Sequence, residues 1–289
     1  MGRALDLVRS WPVGTVAAAV LVGGELHDRE GPTDHVMRLA SLAKTVTAWA
    51  TLVAVEEGVV SLDDPVGPDQ ADDDRPTRTL RHLLAHAGGY GFDSPRPIVA
   101  PERKRIYSNT GIEVAAAHVA RAAAMPFEEY LRLGVLEPLE MTSTELRGSP
   151  AHGLWSCVDD MVRFLAEVRS PTLVTEATAA DARRQHFPSL GGIVPGVGRF
   201  DTCPWGLGFE IRGDKRPHWT GSRNSADTFG HFGGAGTMAW RDPSVDVSLV
   251  ALTDRPFDEW AAEALRVWPE LSDAVLDEVG AGPAAEVRR

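Results

Sequence analysis

Only two cysteines occur in 289 residues, at positions 157 and 203, so a disulfide framework is excluded. Their separation fits neither a C-x-x-C motif nor any zinc-ligand spacing, and both read as reduced thiols of a core. Long hydrophobic runs are missing too. The longest, Val16 to Val22, falls far short of the roughly 20 residues that a bilayer-spanning helix needs. Arg3 and Arg9 precede that run as in an export signal, but Asp6, Pro12 and Gly14 interrupt it, which points to a cytoplasmic protein with no membrane partner. Positive charge is in deficit: 29 Lys and Arg face 41 Asp and Glu, for a net charge of −12. Nucleic acid is therefore a poor partner. Three residue types are scarce, with Lys only at 44, 104 and 215, Asn only at 109 and 224, and Tyr only at 90, 107 and 130. A short motif built from them is hard to obtain by accident.

What is present is the composition of a globular protein, 43% hydrophobic and 24% charged, without an internal repeat. After a short helical opening, Thr15–Gly23 and Glu25–Arg29 read as a hairpin turning at Gly23-Gly24, its first strand apolar throughout and hence buried. Leu42, Val46, Trp49, Leu52 and Val53 recur at helical spacing across Ser41–Glu57, and Gly58 supplies the stop. Helical patterns follow at Leu80–His86, Asn109–Ala124, Phe127–Leu136 after Pro126, and Val158–Val168 behind a Ser156/Asp159 capping box. No strand pattern interrupts them, and the Gly- and Pro-rich stretch Phe187–Pro204 reads as a loop. Strands return at Gly206–Arg212, Gly236–Arg241 and Val245–Thr253, the last two joined at Asp242-Pro243-Ser244. Pro256 opens a helix to about Val279. This order predicts an α+β fold in which an antiparallel sheet, built from both chain ends (1–58 and 205–280), is flanked by helices. An all-helical subdomain, 59–204, is inserted between the two halves, and 281–289 form a tail.

Ser41-Leu-Ala-Lys44 sets a hydroxyl and an amine at i and i+3 on the first turn of a helix, within reach of each other. Serine needs an adjacent proton acceptor to become a nucleophile, and a desolvated lysine can lose its charge and serve. About 0.16 such S-x-x-K motifs are expected by chance, so alone it suits an ordinary exposed lysine as well. Tyr107-Ser108-Asn109 is rarer, at about 0.02 Y-x-N by the same count, although Asn109 equally suits a helix N-cap. A third element, His231-Phe-Gly233-Gly234-Ala-Gly236, leads into a strand. Its glycines allow backbone to approach a ligand, and Gly234 N–H suits an oxyanion. The other H-x-G, His86-Ala-Gly88, only ends a helix.

Together these residues resemble the serine β-lactamase-like family, in its class C β-lactamase, D,D-peptidase and esterase branch, whose motifs run S-x-x-K, Y-x-N and K-T-G or H-x-G. Leu83-L-A-H-A-G-G, Glu137-P-L-E-M-T-S-T, Leu154-W-S-C-V-D-D-M-V-R-F and Trp205-G-L-G-F-E resemble further family segments, so the likeness extends over most of the chain. It implies a β-lactamase/transpeptidase-like fold and a serine hydrolase that forms an acyl-enzyme on Ser41. Lys44 and Tyr107 would share the general-base and leaving-group-acid roles. Asn109 would bind the substrate amide or orient Lys44, and His231, Gly233 and Gly234 would line the substrate pocket. The Ser41 and Gly234 N–H groups would form the oxyanion hole. Two departures stand out: the third motif has no lysine to hold a substrate carboxylate, leaving Arg223 as a stand-in, and the chain is short, so lid loops are trimmed.

Other readings fare worse. None of the 15 serines sits in a G-x-S-x-G elbow. His82 and His86 at i, i+4 have no H-E-x-x-H or third ligand, so they read as helix-packing residues and no metal or cofactor is expected. A binding or regulatory protein of the same fold, without chemistry, is the main alternative. The expected substrate is a small-molecule ester, amide or β-lactam, with esters turned over faster; the oligomeric state is not read.

Overall fold

The run Val16–Val22 lacks alternation because both faces of its strand are covered. In the computed structural model, which describes residues 3–67 and 77–280, a 3-10 turn at Ala4–Ser10 leads into β1 (Val16–Val22) and β2 (Glu25–Glu30). Gly23 and Gly24, both at positive φ, make the two-residue turn between them. The chain continues through β3 (Met37–Arg38), a 3-10 turn at Ala40–Leu42, and α1 (Ala43–Glu56), which Gly58 stops at φ +69°, in the same left-handed region as Gly23. Next come α2 (Leu80–Leu84), α3 (Asn109–Ala122), α4 (Phe127–Leu131), β4 (Glu145–Leu146), β5 (Leu154–Ser156), α5 (Val158–Arg169) and α6 (Glu176–Arg183). The last third holds β6 (Gly192–Val194), β7 (Gly198–Phe200), β8 (Glu210–Ile211), β9 (Phe229–Gly233), β10 (Thr237–Asp242), β11 (Val247–Thr253) and α7 (Ala261–Glu278). The expected tail, 281–289, lies outside the described residues.

The main sheet has the order β2-β1-β11-β10-β9-β8 and is antiparallel throughout, so both chain ends contribute to it as expected. Ala17, Ala19 and Leu21 of β1 face one apolar cluster with α1 and α5, while Ala18 and Val20 face another with α7. This alternation of faces is the two-residue period of a strand applied to a sheet sandwiched between helix layers. In α1, every residue from Ala43 to Ala54 is buried. Trp49 anchors it, edge-on to Phe164 of α5 and to Phe209 at ring separations of 6.2 and 6.3 Å.

Several elements depart from expectation. Residues 60–185 do contain strands, β4 and β5, which join β3 in a small sheet but are too short to show alternation. The capping box before α5 does not form: Cys157 is the N-cap, and the Ser156 hydroxyl bonds Thr144 Oγ1 at 2.7 Å instead. α6, capped by Thr175, was hidden in an Ala-rich stretch without apolar periodicity. The 187–204 loop contains the β6-β7 hairpin. The strand expected over Gly206–Arg212 is only β8, while β9 is a strand of its own ahead of the one expected from Gly236.

Candidate active site

Ser41 sits on the turn that feeds α1, after Ala40, which is buried and held at φ +48°. That left-handed backbone costs an alanine about 1–3 kcal/mol, so neighbours must hold it. Leu39 supplies the grip: its N–H donates to Leu154 O at 2.9 Å and its carbonyl accepts from Thr237 Oγ1 at 2.8 Å. β9 comes up directly under this turn. A Cβ on Gly233 would stand 2.1 Å from Leu39 O and 3.2 Å from Ser41 N, so only glycine permits the approach. Gly233 therefore supports the turn from beneath and does not line the cavity, contrary to expectation. A Cβ on Gly234 would meet nothing within 4 Å, and Gly234 does line it.

Lys44, one turn beyond Ser41, is fully buried. Its Nζ lies 3.2 Å from Ser41 Oγ, 2.6 Å from Asn109 Oδ1 and 2.9 Å from Ala151 O, with the centroid of the Tyr107 ring 4.7 Å away. Burial lowers its pKa to about 7, against the smaller upward pull of Glu113 and Asp93. Asn109 is not the N-cap of α3. Ser108 is, accepting from Gly111 N–H at 3.0 Å, and Asn109 is free to donate from Nδ2 to Asp93 at 2.8 Å while Oδ1 receives Lys44. The amide oxygen is thus held by Lys44 and one of the two amide N–H groups by Asp93.

Tyr107 is buried with its hydroxyl approaching Ser41 but without a hydrogen bond of good geometry. Burial pushes its pKa well above the ordinary phenol range, Ser41 opposing the rise and Glu210 adding to it. His231, on β9, donates from Nδ1 to Phe232 O at 2.5 Å, which leaves Nε2 as a bare acceptor without a partner among the described residues. Burial, with Lys44 next, drops its pKa to about 4, so the ring is neutral near pH 7.

Sequence reasoning missed three neighbours. His86 was set aside as the end of a helix, yet its Nδ1 accepts Ser108 N–H at 3.3 Å and its ring packs 4.8 Å from Tyr107 and 4.9 Å from Trp205. Trp205 completes the aromatic wall, 5.9 Å from Tyr107 and 5.8 Å from His231. The Leu83 and Trp205 segments carried both residues, but nothing in their spacing assigned them a place. Glu210 is the third. Burial pushes its carboxyl up, but Lys215 at 3.0 Å and His218 at 3.2 Å more than offset this and hold it well below the usual range. His82 packs between Thr79 and Glu102, as a structural histidine would.

Ser41, Tyr107, Trp205, Glu210, His231 and Gly234 border a cavity of about 440 Å³, completed by apolar residues such as Val194, Phe232 and Phe257 and by Asp258. No Lys or Arg is among its lining residues. Arg223 does not supply the missing cation: it pairs with Asp277 at 2.7 Å, and the cavity does not include it. Among the described residues no group of His, Cys, Asp or Glu is placed to hold a metal ion, and no helix is long and apolar enough to cross a membrane.

A hydroxyl and a phenol border one cavity, a buried amine stands against the hydroxyl, and helices flank an antiparallel sheet; the chain belongs to the Beta-lactamase family, whose profile matches residues 11–270. It resembles the crystal structure of a beta-lactamase from Mycobacterium bovis at 45% identity and a TM-score of 0.90, with 96% of this chain and 99% of that one covered. It is also 25% identical over 214 residues to a beta-lactamase of Yersinia enterocolitica, covering 56% of this chain and 55% of that protein. A segment of 66 residues is 39% identical to esterase EstB of Burkholderia gladioli, covering 20% of this chain and 17% of the esterase. The chain thus spans little more than half the length of the Yersinia relative, and all of these names are those of hydrolases.

Proposed function

We propose that the chain is a serine hydrolase of class C type that forms an acyl-enzyme on Ser41 and prefers small neutral esters to β-lactams. The arrangement around Lys44 Nζ carries the reading. A neutral amine has two N–H groups and one lone pair, and the carbonyl oxygens of Asn109 and Ala151 can only accept. They take both N–H groups, which leaves the lone pair to Ser41 Oγ at 3.2 Å. With a pKa of about 7, a large share of Lys44 is neutral at physiological pH. Tyr107, its pKa raised by burial, keeps its proton and is the weaker candidate for the base.

In the proposed reaction, Ser41 Oγ bonds the substrate carbonyl carbon while its proton passes to Lys44 Nζ. The carbonyl π electrons move to oxygen, where the N–H groups of Ser41 and Gly234 stabilise the developing charge. As the tetrahedral intermediate collapses, the bond to the leaving alkoxide breaks and the proton returns to it through Tyr107 Oη. Water then attacks the acyl carbon and gives a proton to Lys44; as the second tetrahedral intermediate collapses, the bond between the acyl carbon and Ser41 Oγ breaks, Lys44 Nζ returns the proton to Ser41 Oγ, and the carboxylic acid leaves. Asn109, His86 and Trp205 act as positioning residues. The inserted helical region 59–204 supplies Tyr107 and Asn109, and the sheet region supplies His231 and Gly234.

The substrate preference rests on charge. The cavity lining has no Lys or Arg, its His231 is neutral, its Glu210 is already paired with Lys215 behind it, and Asp258 adds a negative charge, so a carboxylate beside the reacting carbonyl finds no Lys or Arg in the lining to pair with. The local likeness to an esterase agrees with this. A cytoplasmic location is consistent with the unpaired thiols of Cys157 and Cys203. The test is covalent labelling: a fluorophosphonate should add once, on the peptide containing Ser41, and Ser41→Ala should abolish the adduct. p-Nitrophenyl butyrate should exceed a chromogenic cephalosporin in kcat/KM. Labelling that survives Ser41→Ala would overturn the nucleophile, and a faster cephalosporin would overturn the substrate preference.

A further inference from the structure

Behind the wall formed by Phe92, Tyr107 and Pro195, which also borders the catalytic cavity, a second groove of about 530 Å³ opens to solvent. Its charges are the reverse of the cavity's. Arg103, Lys104 and Arg199 line it, all three are exposed, and none has an ion-pair partner among the described residues. Asp201 is its one carboxylate. In a chain of net charge −12, three cations without ion-pair partners on one groove give it a local attraction for anions.

The groove is also built firmly. The buried Arg105 guanidinium donates to Cys203 O at 3.0 Å, His186 O at 2.7 Å and Phe187 O at 3.0 Å, and further to Ala85 O. Its backbone N–H reaches Gly191 O at 2.9 Å. These bonds staple the segment bearing Arg103 and Lys104 to the loop that leads into Arg199, so the three cations are held around one opening. Phe92 and Ile193, 51% and 47% exposed, give it an apolar rim.

We propose that this groove holds an anionic end group, a carboxylate or a phosphate, of a substrate whose reacting carbonyl lies at Ser41 in the adjoining cavity. The proposal rests on the serine-hydrolase reading. It assigns the natural substrate two unlike ends: a neutral, apolar acyl or alcohol part in the cavity, and an acid removed from the carbonyl by the width of the Tyr107 wall. The cavity rejects an acid next to the carbonyl, and the groove accepts one farther away.

The experiment compares three esters at low salt: p-nitrophenyl butyrate, p-nitrophenyl hydrogen adipate with the acid on the acyl chain, and 3-carboxy-4-nitrophenyl butyrate with the acid on the leaving group. One of the acidic esters should exceed the neutral one at least tenfold in kcat/KM, chiefly through KM. The ratio should fall to about one in about 0.5 M NaCl, where exposed charges are screened within a few ångströms. It should fall likewise in the Arg103→Gln/Lys104→Gln/Arg199→Gln variant. Inorganic phosphate and benzoate, added separately as competitors, tell a phosphate site from a carboxylate site. Ratios near one in the wild type, or a ratio that the triple substitution leaves in place, would overturn the proposal while leaving Ser41 chemistry standing. If no ester is hydrolysed, the enzyme reading fails, and equilibrium dialysis of the same esters against the Ser41→Ala protein still decides the groove. There, tighter binding of an acidic ester that the triple substitution removes supports it, and equal binding of all three overturns it.

Discussion

Lys44 Nζ and Asn109 Oδ1 meet at 2.6 Å across 65 positions of sequence. The contact fixes one N–H of the amine and Ala151 O fixes a second; in the neutral form proposed above, that leaves the lone pair for Ser41.

A pH dependence follows. kcat/KM for a neutral ester should rise through an apparent pKa of about 7 as Lys44 loses its proton. Asn109→Asp places an opposite charge at the same point, favours the ammonium form, and should move that limb upward by at least about one unit. His231 does not interfere, since its transition near 4 is complete well below this range. A limb that stays in place in Asn109→Asp would remove Lys44 as the base.

Lys44 and Tyr107 should behave as one unit, because each touches the proton leaving Ser41. Lys44→Ala, Tyr107→Phe and the double variant are expected to lose similar activity, each by about 10³-fold or more, with folding retained by circular dichroism. Independent roles would instead show as a double-variant loss equal to the sum of the single losses in free energy.

The turn at Ala40 makes a stability prediction. Ala40→Gly relieves left-handed strain but frees the unfolded chain, so thermal unfolding should register a net change within about 1 kcal/mol. Ala40→Val sets a β-branched side chain at φ +48° in a buried position and should cost about 2 kcal/mol or more. Equal melting temperatures for the two variants would show that the turn is not under strain.

Glu210 and Lys215 form a buried pair, both with side chains almost inaccessible to solvent. Lys215→Met strands the carboxylate and should cost about 3–5 kcal/mol in urea unfolding at neutral pH, while Lys215→Met with Glu210→Gln should recover much of it. The depressed Glu210 pKa gives the wild type stability that is present above the ordinary carboxyl pKa of about 4.3 and is lost as pH falls below it. The double variant should show a flatter stability curve in that acid range.

Much of the fold was legible because it rests on local signals. The apolar run of β1, the Gly23-Gly24 turn, the periodicity of α1 and its stop at Gly58 each have a cause within a few residues. β4, β5 and β8 were illegible or overextended because two- and three-residue strands are defined by their partners. β9 was hidden for a different reason: its glycines are there so that another backbone can approach, and glycine in sequence signals a turn. The site divides in the same way. Ser41 and Lys44 are neighbours along one turn, and scarcity made the Tyr107 and Asn109 motif stand out. His86 and Trp205 owe their places to long-range packing against Tyr107, which no spacing reports. Gly233 is expected to line the pocket because its missing side chain lets backbone approach a ligand, but the backbone it admits is that of the Leu39–Ser41 turn.

The pairing of β1 with β11, Val16 opposite Thr253, carries a consequence for the chain as it is made. At about 5–20 residues per second, roughly ten to fifty seconds separate the appearance of the two strands on a ribosome. For that interval one edge of β1 has no partner and Ser41 has no β9 beneath it. Synthesis therefore delivers the Ser41 turn early and the strand beneath it late, so a truncated product bearing Ser41 and Lys44 lacks the strand that holds that turn in place.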